Sequence, residues 1–369
     1  MSRLPSMNVL LIGPLPSPVN GCSYANATFL EGAIAAGHNC RFINTSGGEI
    51  SSKQGQRFSF GKAIHFFSVY FEFWKIFLSD VVYLTPGQTF FGLLKYAPFI
   101  ILCRLSRRPY VIHVHGGHLG KQYASLFGAK RYIFRFLIEG AAAGIVLSKS
   151  LSGIFEGLLS AEKVHVLGNF VSSDLLMKRE CLKFDDIPRI LYLSNLMRGK
   201  GILDFLDALI LIKSHGLRFQ AVVAGIMEKE VEVEVRERFE ILNKELVYLG
   251  SISGDEKIKT LMDANIFILP TYYQMEGQPI SILEALASGN IIISTAHAGI
   301  PDIISHENGI LVPIKNAQAI ADSVFEISED LKSNVAKFSA NNIAYAKAMF
   351  SVDQFVGGLL KILSSARTS

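Results

Sequence analysis

The sequence predicts an α/β protein made of two doubly wound, Rossmann-like domains, and three observations carry that reading. At 369 residues the chain is too long for one ordinary core and suits two domains of roughly 170 to 190 residues each. Short apolar runs of strand length alternate with longer helix-like segments, as in a parallel sheet covered on both faces. The alternation fades once, over residues 171–188, where charge rises, and begins again at residue 189. The expected organisation is an N-terminal domain at 1–170, a linker at 171–188 and a C-terminal domain at 189–345. A last helix, 346–369, is expected to pack back toward the N-terminal domain.

In the first half, residues 8–12 read as a strand that a proline-containing loop, 13–21, brings to an end. A helix at 23–36 and a strand at 40–43 follow. Next come a Phe-rich helix at 62–78, a strand at 81–84 and a helix at 90–105. Residues 110–115 form a strand that runs out in His-Val-His-Gly-Gly-His. A helix at 130–140 and strands at 144–147 and 164–167 complete the domain. The second half starts with a strand at 189–193, then a helix at 202–214, a strand at 219–224 and a charged helix at 229–244. Strands at 247–249, 266–269 and 291–294 and amphipathic helices at 317–327 and 352–363 make up the rest.

Composition narrows the functional classes. Half of the residues are hydrophobic, yet charged residues such as Lys62, Glu72, Lys75 and Lys95 keep every apolar run short of the ~18 residues that span a bilayer. Residues 1–7 show no secretory pattern. The four cysteines share no metal-ligand spacing, so a reducing, cytoplasmic setting is expected. The net charge of +4 divides unevenly: residues 1–180 hold 18 Lys and Arg against 9 Asp and Glu, and the remainder 18 against 23. The same N-terminal stretch holds 17 of the 26 Phe. Basic and aromatic side chains together suit an anionic membrane surface, and no nucleic-acid recognition module is visible. A nicotinamide enzyme is disfavoured too. The loop at 13–21 lacks the Gly-x-Gly-x-x-Gly fingerprint, and Asn44 and Thr45 stand where an acidic residue would close the second strand.

The densest signal is residues 276–289, EGQPISILEALASG, at the carboxyl end of the strand 266–269, where open α/β sheets bind ligands. Pro279 suits the first helical position. Ile280, Leu283 and Ala287 recur at helical spacing as a face for the sheet, and Ser281, Glu284 and Ser288 form a polar stripe. Glu284 lies about 7.5 Å along the axis from Pro279. Two carboxylates around a helix start with free N–H groups can hold an anion or a polyhydroxylated ligand.

These residues resemble the Glu-x7-Glu motif of retaining, family-four glycosyltransferases (glycosyl transferases group 1), whose usual form is EGxPxxxLEAxAxG. Glu276, Gly277, Pro279, Leu283, Glu284, Ala285, Ala287 and Gly289 fit, and Gln278 stands where an aromatic is frequent. The resemblance implies the GT-B fold, two Rossmann-like domains facing a cleft, as in bacterial cell-surface polysaccharide glycosyltransferases. It also implies a hexosyltransferase that uses a nucleoside diphosphate sugar, with retention at the anomeric carbon and no metal or other cofactor. The sequence has neither an Asp-x-Asp nor a His/Cys ligand cluster.

Other positions follow the family more loosely. Residues 194–201 resemble its Gly-Arg-Leu-x3-Lys-Gly loop with Lys200 and Gly201 matching, while Asn195 takes the place of the arginine and Arg198 is the candidate to supply that charge. His115 matches the family's histidine near the donor sugar, with His113 as its stand-in. Gly21, between Asn20 and Cys22, matches the small-residue loop near the diphosphate. Residues 299–302 resemble GGIPE, with Ala298 and Asp302 as departures. The resemblance thus assigns Glu276, His115 and Lys200 to catalysis. It assigns Arg198, Asn195, Gly277, Gln278, Pro279, Ile280, Glu284 and Gly21 to donor binding, with Glu276 on the sugar hydroxyls and Glu284 on the ribose.

The expected acceptor is a lipid-linked saccharide presented at the inner face of the cytoplasmic membrane, where the protein would sit peripherally. Residues 66–77 with Arg104, Arg107, Arg108, Lys130, Arg131 and Arg135 motivate this. Two other classes share the composition: a GT-B isomerase or epimerase acting on the nucleotide sugar itself, and a non-catalytic, membrane-associated sugar-nucleotide-binding protein. Acceptor-dependent release of free nucleotide separates the three.

Overall fold

The structure, a computed structural model, describes residues 5–17, 20–46, 69–177 and 186–368. The chain forms two compact units, Met1–Asn169 together with Val352–Ser369, and Phe170–Ser351.

The first unit holds a six-stranded sheet ordered β2-β1-β3-β4-β5-β6, with every pairing parallel. Its strands are β1 (Asn8–Gly13), β2 (Asn39–Asn44), β3 (Val81–Leu84), β4 (Tyr110–Val114), β5 (Ala143–Val146) and β6 (Val164–Val166). β1, β3, β4 and β5 are buried along almost their whole length, which is why they read as unbroken apolar runs. The strand order reverses between β1 and β3, so the loops after these two strands flank the switch point. The helix Val352–Thr368 belongs to this unit and packs on the helix Gly21–Ala35 and on β3 and β4.

The second unit repeats the plan with the order β12-β11-β10-β7-β8-β9. The strands are β7 (Arg189–Leu193), β8 (Gln220–Ala224), β9 (Leu246–Tyr248), β10 (Ile266–Leu269), β11 (Ile291–Thr295) and β12 (Gly309–Val312). The switch point lies between β7 and β10, which pair through Ile266 with Ile190 and Phe267 with Leu191. The core runs from these central strands into the helices Ile202–Ser214 and Ile280–Ala287.

Several elements differ from the sequence reading. The expected linker is not a plain crossing: the helix Ser173–Met177 lies in it, and Val171 and Leu175 are buried in the second unit's core. Residues 178–185 of that stretch lie outside the described residues. The second unit then runs unbroken to Ser351 through the helix Leu331–Met349, which crosses the expected boundary at 345. The expected helix at 90–105 is two, Phe90–Leu94 and Ala97–Leu105. A proline at the start of the second suits the helix entry and would have interrupted a continuous one. Of the Phe-rich helix expected at 62–78, residues 62–68 lie outside the described residues, and Phe73–Leu78 is a 3-10 helix.

Candidate functional site

In the second unit two loops meet at the switch point. The loop after β7 runs through the single 3-10 turn Arg198–Lys200 to Gly201, which opens the helix Ile202–Ser214. Gly201 has a φ of 74°, and a Cβ there would come within 2.3 Å of the Pro270 carbonyl oxygen. Only glycine lets the two loops approach this closely. The Tyr192 hydroxyl pins the loop from below by donating to the carbonyls of Asn195 (3.2 Å) and Lys200 (3.3 Å). The loop after β10 is tied to the first by the Tyr272 N–H, which donates to the Gly199 carbonyl at 2.8 Å.

This approach brings Lys200 and Glu276 together. Lys200 Nζ lies 2.6 Å from Glu276 Oε2, with both side chains mostly buried, and 5.3 Å from the centre of the Tyr273 ring. The Thr271 hydroxyl donates to the same carboxylate oxygen at 2.9 Å. Behind Glu276, the Gly277 carbonyl accepts from the Gly299 N–H at 2.9 Å, and His297 Nε2 bonds the Tyr273 carbonyl at 2.8 Å. The loop after β11 therefore braces the motif. Ala298 within it holds a φ of 52°.

Glu284 has a pair of its own. It lies inside the helix Ile280–Ala287 with only 7% of its surface exposed, and its Oε1 accepts from Lys257 Nζ at 2.6 Å. Its Oε2 is buried with no hydrogen-bond partner among the described residues. Burial raises the Glu284 carboxyl above its ordinary value, and Lys257 opposes that shift. The structure corrects the helix geometry expected here. Pro279 is the N-cap with extended backbone and the helix begins at Ile280, one residue later than the sequence suggests. Of the polar stripe Ser281, Glu284 and Ser288, Glu284 is buried and the two serines flanking it are half-buried. Ile280 is only half-buried, and Ile282 and Leu286 take the core positions expected of it. Gln278 is buried as well.

Two predicted donor-loop residues stay apart from this cluster. Arg198 is about half exposed and gives its guanidinium to Glu234 (2.6 Å) and Glu230 (3.8 Å). Asn195 is exposed. Lys257 and Thr271 are the functional candidates that the sequence reading missed. Thr271 closes the motif's strand and could have been noticed there. Lys257 lies on the helix Gly254–Asp263, an element between β9 and β10 that the sequence reading did not pick out.

In the first unit the predicted residues stand at the carboxyl ends of β1 and β4. Gly21 is the exposed first residue of the helix Gly21–Ala35, where Asn20 and Ser23 form a reciprocal capping box. Cys22 beside it is a half-buried thiol whose value desolvation pushes up to about 12. His113 is fully buried, and its Nδ1 lies 2.7 Å from the Tyr83 hydroxyl. The rings of His113 and His115 lie 4.1 Å apart. His113 Nε2 and both nitrogens of His115 are buried without partners among the described residues. Burial lowers both groups, His115 to about 4, so both imidazoles are neutral at pH 7. Among the described residues no group of three or more His, Cys, Asp or Glu is arranged to hold a metal ion.

The class that this fold defines emerges from comparison. Anabaena Alr3699/HepE, solved in complex with UDP, superposes with a TM-score of 0.72 at 16% identity over 97% of this chain and 100% of that one. The fold is GT-B. Residues 176–347 match the family model "Glycosyl transferases group 1", so the second unit carries a domain of that family. The amylovoran biosynthesis glycosyltransferase AmsK of Erwinia amylovora is 32% identical over 147 residues, which is 38% of this chain and 36% of that protein. An N,N'-diacetylbacillosaminyl-diphospho-undecaprenol alpha-1,3-N-acetylgalactosaminyltransferase of Campylobacter jejuni is 29% identical over 165 residues, 44% of this chain and 41% of that protein. These matches span well under half the length of either relative.

Proposed function

We propose that the protein is a retaining, family-four glycosyltransferase that moves a sugar from a nucleoside diphosphate sugar to a hydroxyl of a lipid-linked saccharide in cell-surface polysaccharide biosynthesis. The observation that carries the reading is the Lys200–Glu276–Thr271 cluster at the switch point, inside the segment matched by the glycosyl transferases group 1 model. Glu276 accepts from donor-sugar hydroxyls and Glu284 from the ribose, so the two carboxylates position one ligand. They come from one helix start and do not flank a bond as a hydrolase pair does. Lys200 has three donors, so it can keep Glu276 and still reach a phosphate oxygen. With the N-terminus of the helix Ile202–Ser214, it offsets the charge that develops on the departing diphosphate. His115, a neutral imidazole, serves as a polar contact for the donor sugar. The residues assigned these steps do not call on a metal.

The names of relatives support the acceptor class. The Campylobacter jejuni relative is named for a diphospho-undecaprenol-linked acceptor and the Erwinia amylovora relative for polysaccharide biosynthesis. Peripheral attachment to an anionic membrane has its own support in the first unit. Phe71, Phe73, Trp74, Phe77 and Leu78 are all exposed, beside Lys75, Arg107 and Arg108. Arg104, Arg131 and Arg135 are engaged locally, by Phe136, Tyr123 and Glu139. Phe66 and Phe67 lie outside the described residues. No described helix is long and apolar enough to cross a membrane.

Thermal shift with a panel of UDP-, GDP- and dTDP-sugars tests the donor reading, because a ligand of the folded state raises the melting temperature. One donor is expected to stabilise the wild type and not Glu284→Ala; no response to any of them would count against the reading. Arg198→Ala is expected to leave donor affinity within about twofold, because Glu234 already takes the guanidinium and exposed pairs carry little. Cosedimentation with anionic liposomes at low salt tests the membrane part alone. Protein that stays in the supernatant removes it and leaves the transferase reading intact.

A further inference from the structure

We propose that Lys257 is a positioning residue whose pairing with Glu284 makes the site select ribonucleoside over 2′-deoxyribonucleoside diphosphates. The inference rests on the donor reading above and adds a substrate class to it. Lys257 Nζ takes one lone pair of Glu284 Oε1 at 2.6 Å. That leaves the rest of Oε1 and the whole of Oε2 as acceptors, and Oε2 is closed from solvent and unpaired. An unpaired buried carboxylate oxygen is costly, so a ligand that brings O–H donors to it removes that cost on binding. A vicinal diol supplies two such donors in fixed geometry, and a 2′-deoxyribose only one. The pair is uneven, with side-chain exposures of 31% for Lys257 and 9% for Glu284. The carboxylate is the fixed partner and the lysine the adjustable one.

Among the described residues, Lys257 is the charged group that acts on Glu284. The strands β10 and β11, packed against the helix Ile280–Ala287, bring no titratable side chain. On the helix Leu331–Met349, Lys332 is exposed and paired with Asp186, Lys337 and Lys347 are exposed, and Tyr345 faces Phe350 and Asp302. Asp174, on the helix Ser173–Met177, is exposed. Without Lys257, none of the described residues opposes the upward shift that burial imposes on Glu284. The carboxyl then takes up a proton as pH falls and stops acting as a pure acceptor.

The test is calorimetric binding of UDP, GDP and their 2′-deoxy forms to the full chain, wild type against Lys257→Met and Lys257→Arg, between pH 6 and 8.5. Wild type is expected to prefer the ribo form by about tenfold or more at every pH. Lys257→Met should make that gap narrow as pH falls across the range, and Lys257→Arg should restore the flat profile. Equal affinity of wild type for ribo and deoxy forms overturns the inference while the donor reading stands. So does a gap that Lys257→Met leaves unchanged. Failure of wild type to bind any of the four removes both. Circular dichroism and the melting temperature of each variant separate lost folding from lost selection.

Discussion

The two units place opposite chemistry at the ends of similar sheets. In the second, each motif carboxylate is held by a lysine, Glu276 by Lys200 and Glu284 by Lys257, both at 2.6 Å. In the first, the corresponding residues are two neutral histidines whose rings lie 4.1 Å apart, with three ring nitrogens that have no partner among the described residues. A charged pair brings its own partner, so the second unit's site is organised before any ligand arrives. The imidazoles of the first unit stay neutral because burial penalises their charged form, and their open nitrogens are satisfied only by something brought to them. Charge should therefore govern events in the second unit and acidification events in the first.

The largest expected effect comes from Glu276→Gln. It keeps the shape of the side chain and removes the charge that faces Lys200. Acceptor-dependent nucleotide release should fall by about 10²–10³, the usual effect of losing one preorganised group at the reacting centre. Release within about threefold of wild type would break the comparison, because the paired carboxylate would then be structural.

Acidification tests the other side. His115 has a depressed value of about 4 in the fold against 6.5 for an ordinary histidine. Between those values the unfolded chain binds the proton and the fold does not. The stability it contributes is complete above pH 6.5 and is lost as pH falls toward 4. A shift of that size corresponds to about 3 kcal/mol. The one tryptophan of the chain, Trp74, lies in the first unit, so its fluorescence during urea unfolding reports that unit. The midpoint should drop steadily from pH 7 to pH 4.5, and His115→Gln should flatten the slope. An unchanged slope would mean that the imidazole reaches solvent.

The difference between the units also explains what could be read from the sequence. Eleven strands follow from apolar runs of strand length, and the motif at 276–289 stands out through its resemblance to the Glu-x7-Glu pattern. β12 went unread because its four residues, Gly309–Val312, sit at the sheet edge behind a turn and are buried only in part. The helix Leu331–Met349 went unread because its buried face includes Ser339 and Asn342, which break the apolar period. Asn342 is buried there because it donates to the carbonyls of Asn290 (2.7 Å) and Asn308 (3.0 Å), a tertiary reason that no local pattern announces. Lys257 was hidden in the same way, since its meaning depends on a carboxylate 27 residues away. Arg198 shows the converse: a loop position suggested a ligand contact, and the helix Glu232–Leu242 supplied a nearer partner.

Backbone geometry offers a finer test of the second unit's preorganisation. Gly201→Ala should cost about 1–2 kcal/mol for the left-handed conformation alone. It costs more because the new Cβ would meet a backbone carbonyl at 2.3 Å, and donor affinity should fall as the loops separate. Unchanged donor affinity in a folded variant would show that the approach of the two loops does not set the site.

The smallest effect has the opposite sign. Ala298 holds a left-handed φ of 52°, at the position where the family pattern has a glycine, in the loop whose Gly299 N–H braces the Gly277 carbonyl. An alanine in that conformation is strained, and a glycine is not, although glycine gives more freedom to the unfolded chain. The net expectation for Ala298→Gly is a gain of about 0.5–1 kcal/mol in the stability of the second unit. If the strain serves to press the loop against the motif, the same variant will bind donor more weakly although it melts higher. If donor affinity and melting temperature rise together, the alanine is a departure that the site tolerates, and preorganisation there rests on the lysine pairs alone.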